Sequence, residues 1–147
     1  MGMKVLFDTS VLVSACVAEH PKHTAALSLL QKAISREIEF VVAAHSLLEC
    51  YAVLTTLPLA PKISPHVARE LIYHNIEKHA DIVALTSKEY SSVIDSIAKH
   101  GFLGGVVYDA LIFKVAEKAE VDQLLTLNEK DFKRLDLLNN IAIISSL

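Results

Sequence analysis

Two periods alternate along this chain, and that alternation limits the fold more than any single motif. Short runs rich in β-branched and apolar residues read as strands at Lys4–Phe7, Glu39–Val42, Ile82–Ala84, Gln123–Thr126 and Ile141–Ile144. Between them lie segments of helical period: roughly Lys22–Ser35, Ser46–Leu57, Pro65–Lys78, Ser87–His100, Tyr108–Ala119 and a short one at Glu129–Leu135. Leu27, Leu30 and Ile34 share one helical face, as do Leu47, Tyr51 and Leu54. Strands this short and apolar need cover on both faces, and helices in alternation supply it. The expected fold is α/β, a three-layer α/β/α sandwich around a parallel sheet of about five strands.

A chain of 147 residues accommodates one such domain, so residues 1–147 are expected to form a single unit. The apolar fraction of 52% implies extensive burial. Charged residues, His or Pro interrupt every apolar run before it reaches the ~18 residues of a membrane span. No signal-peptide pattern is expected either, because Asp8 cuts the first apolar run short. Soluble and cytoplasmic is the resulting expectation. Cys16 and Cys50 have no metal-type spacing and read as small buried hydrophobes. The net charge of −3 argues against gripping nucleic acid by bulk basicity, but not against meeting phosphates through a metal ion.

The first strand ends in a residue that does not belong in a core. In "KVLFDTSVLV", Asp8 interrupts an apolar run at a cost of several kcal/mol if left charged and unpaired. Ligands of open α/β sheets sit beyond the carboxyl ends of the strands, where Asp8 lies. Its plainer role is to cap the next helix or close an Asx-turn with Thr9 and Ser10. Glu49, three residues after Ser46 in "HSLLECY", reads as the partner in a capping box. Asp109, early in the helix of "GGVVYDALI", reads as a first-turn acid that suits the helix dipole. In "LLTLNEKDF", Asn128 reads as a cap, with Asp131 in the following turn.

Taken together these positions imply more than caps. Acids at several junctions on one rim repel each other, and a divalent cation resolves that repulsion. An all-oxygen donor set suits Mg²⁺ or Mn²⁺, which activate water and neutralise charge in phosphoryl chemistry.

The stretches "FDTSVLV", "SLLECYAVL", "GGVVYDALIFKVA" and "LLTLNEKDF", in this order, resemble the PIN-domain ribonucleases, in particular VapC-like toxins of toxin–antitoxin pairs. The resemblance runs from Val5 to about Ile144. It implies that Asp8, Glu49 and Asp109 are the catalytic acids that ligate Mg²⁺ or Mn²⁺ and support hydrolysis of single-stranded RNA, leaving 5′-phosphate and 3′-hydroxyl ends. It implies supporting roles for Thr9, Ser10 and Thr126, and an antitoxin partner whose segment places an Arg near the acids. Many relatives carry Asp where this chain has Asn128. Asn coordinates through its carbonyl oxygen without charge, so either Asp131 compensates or the site is less acidic, with one or two metals left open.

Two other readings stand beside the nuclease. One is a phosphotransfer or phosphatase-type α/β domain with Asp8 as nucleophile, although Ser10 stands where such a phosphatase would want a second Asp. The other is a non-catalytic RNA- or protein-binding module on the same fold. His20 and His23 form no zinc pattern and are expected at the surface. The high apolar fraction in a small domain predicts a homodimer.

Overall fold

The computed structural model describes residues 2–135 and 141–145. Residues 1, 136–140 and 146–147 of the expected 1–147 domain therefore lie outside the described residues. The chain runs β1 (Lys4–Phe7), α1 (Thr9–Cys16), α2 (His23–Ile34), β2 (Glu39–Ala43), α3 (Ala44–Thr56) and α4 (Pro65–Ile72). A π-helical turn, Tyr73–Glu77, extends α4. Then come β3 (Asp81–Val83), α5 (Ser87–Lys99), α6 (Val106–Lys118), β4 (Gln123–Leu125), α7 (Glu129–Leu135) and β5 (Ala142–Ile144).

The five strands are all parallel, in the order β3-β2-β1-β4-β5. The chain builds outward from β1 to β3, then returns to β1's other edge for β4 and β5. The order reverses between β1 and β4, and a crevice opens beyond the carboxyl ends of such a pair. The α/β sandwich with a five-strand parallel sheet matches the sequence expectation.

Alternating residues send the strands' side chains into two cores. Val5, Phe7, Phe40 and Val42 pack with Leu12, Leu30, Leu54 and Ile76 on one face. Leu6, Val41 and Leu124 pack with Leu111, Phe113, Val115 and Phe132 on the other. A smaller cluster of Val93, Ile97 and Ala110 joins α5 to α6. One registered slip of any central strand would exchange these faces.

The boundaries hold some corrections. Helix α1 was absent from the sequence expectation because Val11, Leu12, Val13, Ser14 and Ala15 are all buried, which erases any amphipathic period. The expected 65–78 helix splits, because Lys78 N–H bonds Tyr73 O at 3.0 Å in π-helical fashion. The expected capping box at Ser46 is not formed. Strand β2 runs straight into α3, whose cap residue is Ala43 with no side-chain bond. A reciprocal box does form at Thr86 and Glu89, opening α5.

Candidate active site

Asp8 ends β1 and caps α1, its Oδ1 accepting the Val11 N–H at 3.1 Å. The cap reading is therefore correct, yet it accounts for only part of the side chain. Oδ1 also accepts the Ser10 hydroxyl at 2.6 Å, and Oδ2 accepts the Thr126 hydroxyl at 2.5 Å. Each of those hydroxyls is itself held by the loop after β4. Ser10 Oγ accepts from Leu127 N–H at 3.0 Å, and Thr126 Oγ1 accepts from Asn128 N–H at 2.8 Å. The carboxylate is thus locked between the two strands at the topological reversal.

Glu49 is set by the neighbouring hydroxyl. Thr9 Oγ1 lies 3.0 Å from Glu49 Oε1 and 3.0 Å from the Oγ of Ser46, which is fully buried. A hydroxyl carries one proton, so Thr9 donates to the carboxylate while Ser46 donates to Thr9. Ser46, expected as a cap, instead orients the residue that orients Glu49. Thr9 and Ser10, grouped together in the sequence, serve different acids.

Asp109 stands in the first turn of α6. It lines one cavity of ≈ 390 Å³ together with Asp8, Thr9, Ser10, Glu49 and Asn128, walled on the apolar side by Val13, Val53, Leu57 and Ile112. His20, expected at the surface, also lines it. Its Nδ1 accepts the Lys22 N–H at 3.0 Å, and its Nε2 lies 3.4 Å from Ser14 Oγ, so a local turn holds the ring inward. Apart from the Pro21–Lys22 pair that follows it, nothing in the sequence signals this. Thr126 is fully buried behind Asp8 and does not line the cavity.

The electrostatics are those of a site short of positive charge. Burial raises the Asp8 carboxyl above its ordinary value, while hydrogen bonds from Ser10, Thr126 and Val11 pull it down. Asp109 is pushed up to about 6, first by burial, then by the charges of Asp131, Asp8 and Glu49. Burial, not mutual repulsion as expected, is the leading cause at both positions. Asp131 is ion-paired to Arg134 at 2.8 Å and accepts the Asn128 amide at 2.7 Å. Asn128 therefore holds Asp131 with a neutral donor where a second carboxylate would repel it.

The donor set fits a hard divalent cation. Asp8 Oδ2 accepts one hydroxyl and retains a lone pair, and Glu49 and Asp109 face the same cavity. Among the described residues, no three His, Cys, Asp or Glu side chains are drawn close enough to cage a metal unaided. Mg²⁺ and Mn²⁺, which keep several waters and take few carboxylates directly, do not require such a cage.

The PIN domain family matches residues 5–138 of this chain. Ribonuclease VapC40 of Mycobacterium tuberculosis is 37% identical over 119 residues, covering 81% of this chain and 82% of that protein. Among solved structures, VapBC2 from Rickettsia felis, bound to a DNA fragment from its promoter, superposes with a TM-score of 0.65 at 19% identity. It covers 97% of this chain and 98% of its own. The Mycobacterium tuberculosis toxin VapC20, which cleaves the sarcin-ricin loop, superposes with a TM-score of 0.66 at 16% identity over 82% of this chain and 86% of its own. At those identities the structural likeness speaks for the fold.

Proposed function

This chain belongs to the PIN-domain family, and we propose that it is an endoribonuclease that hydrolyses single-stranded RNA as the toxin of a toxin–antitoxin pair. The observation that carries the reading is the convergence of Asp8, Glu49 and Asp109 on one cavity at the reversal point of a parallel sheet. The ribonuclease name of its 37%-identical relative supports the substrate class.

In this reading Asp8, Glu49 and Asp109 hold Mg²⁺ or Mn²⁺, whose chemistry there is to activate water and neutralise charge on a phosphodiester. The chain's own part is positioning. Ser10 and Thr126 fix the direction of the Asp8 oxygens, and Thr9 fixes Glu49. Asp109, with its carboxyl raised to about 6 in the metal-free protein, must be deprotonated to serve as a ligand, so metal affinity should fall as pH drops through that value. A nucleophilic role for Asp8 is disfavoured: the residue is 4% exposed, with both oxygens held by hydroxyls.

An antitoxin segment is proposed for the apolar flank of the cavity, where Val53 and Leu57 stand next to the acids. The complexes among its structural neighbours support such a partner. Exposed apolar side chains support a homodimer, notably Leu48 on α3 and Tyr90 and Ile94 on α5. No helix among the described residues is long and apolar enough to cross a membrane, and a cytoplasmic location is proposed. The test is cleavage of a single-stranded oligoribonucleotide in EDTA and after Mn²⁺ or Mg²⁺ is restored. Cleavage only with metal, leaving 5′-phosphate ends, is expected. Cleavage that ignores EDTA, or none in either condition, would overturn the reading.

A further inference from the structure

We propose that the stacked rings of His45 and Tyr108 form a platform on which the base of one RNA nucleotide flanking the scissile phosphate stacks. The inference rests on the nuclease reading and deepens it. The two rings come from α3 and α6, the helices that carry Glu49 and Asp109. Their centroids are 5.5 Å apart and their planes differ by 2°. His45 Nε2 lies 3.9 Å from Glu49 Oε1, and Tyr108 directly precedes Asp109. The pair therefore stands beside the acidic cavity, joined to it through the His45–Glu49 contact.

Tyr108 remains 52% exposed although His45 backs it. The Gly104–Gly105 pair that leads into α6 carries no side chain to cover the ring. The contrast with Phe102 is instructive. Its ring stacks with His100 at 5.8 Å and carries the Arg134 guanidinium at 5.1 Å, so its faces are already used. Among the described residues Tyr108 has one such partner, His45.

Charge supplies the second argument. A chain of net charge −3 with a carboxylate-lined site cannot hold RNA by bulk basicity. Stacking binds any base through its π-face and releases no counterions. An acidic nuclease needs that kind of contact to seat a phosphate against its own carboxylates.

The experiment measures steady-state cleavage of an oligoribonucleotide in Mn²⁺ by the wild type, Tyr108→Leu and Tyr108→Phe across a salt series. Tyr108→Leu should raise KM about tenfold, with kcat within about twofold and the salt slope of kcat/KM unchanged. Tyr108→Phe should restore KM. A leucine variant that matches the wild type would overturn the proposal, as would a phenylalanine variant as poor as leucine, since the hydroxyl and not the ring would then matter. Should Tyr108→Leu fail to fold, Tyr108→Trp decides the matter: the larger ring should lower KM, and a raised KM would contradict stacking. A wild type that leaves RNA intact would remove the nuclease reading and this inference together, an outcome distinct from all the others.

Discussion

The two ends of the sheet carry different arrangements of charge, one acidic and one of mixed sign. At the carboxyl ends, Asp8, Glu49 and Asp109 face one cavity, with Asp131 close enough to raise Asp109 further. At the amino ends a second cavity of ≈ 310 Å³ is lined by Lys4, Arg36 and His79 together with Glu39 and Asp81. Signs are mixed there. Lys4 donates through its backbone N–H to Asp122 at 2.8 Å and through Nζ to the Ala119 carbonyl at 3.1 Å, closing the edge locally. Both ends belong to the same strands, so the backbone does not explain the difference. One end is balanced for stability. The other concentrates like charge, which destabilises the free protein and suits a cation.

Four changes would break or sharpen this contrast. The largest effect is expected from Asp109→Asn, which should lower metal-dependent RNA cleavage by at least about a hundredfold, while thermal stability without metal stays equal or rises. Cleavage near the wild-type rate would make Asp109 only a first-turn acid. Next, Thr126→Val removes a donor from a buried carboxylate and should cost about 1–3 kcal/mol in urea unfolding. A neutral result would mean that Ser10 and Val11 suffice to hold Asp8.

A smaller effect concerns pH. The Asp109 carboxyl lies at about 6 in the fold against an ordinary 3.8, so its proton is held more tightly folded than unfolded. A raised value contributes stability below the unfolded pKa and loses it as pH rises through the folded one. The metal-free wild type should therefore gain on the order of 1 kcal/mol on acidification through that window, discounted for the partial exposure of the site. Asp109→Asn should show a flatter profile, and parallel profiles would locate the titration elsewhere. Smallest of all, Asp81→Asn at the amino end should leave cleavage unchanged and stability within about 0.5 kcal/mol. A loss of activity there would erase the distinction between the two ends.

The sequence disclosed the two ends unequally. Strand β1 was legible to the residue, since Lys4–Phe7 is short, apolar and cut by Asp8. The convergence of Asp8, Glu49 and Asp109 was legible only as a set, through four motifs in order. Helix α1 was hidden because burial on every side leaves no polar stripe to mark its period. Ser46 misled because a Ser three residues before a Glu looks the same whether it caps a helix or sits inside one, and here α3 begins at Ala44. The stacking of His45 on Tyr108 is tertiary, joining residues whose local sequence contains no sign of the other, while the inward turn of His20 is local but rests on bonds to Lys22 and Ser14 that no sequence pattern marks. Asn128 was visible as a departure, but its bond to Asp131 needed coordinates.

The central claim is that the acidic end is built around a divalent cation, and thermal unfolding with and without Mn²⁺ tests it without reference to activity. At Mn²⁺ about a hundredfold above its dissociation constant, binding contributes about 2.7 kcal/mol, which should raise the wild-type midpoint by on the order of 5–10 °C. Asp109→Asn, measured beside it, should shift little. Equal shifts in the two proteins, or none in the wild type, would contradict the account.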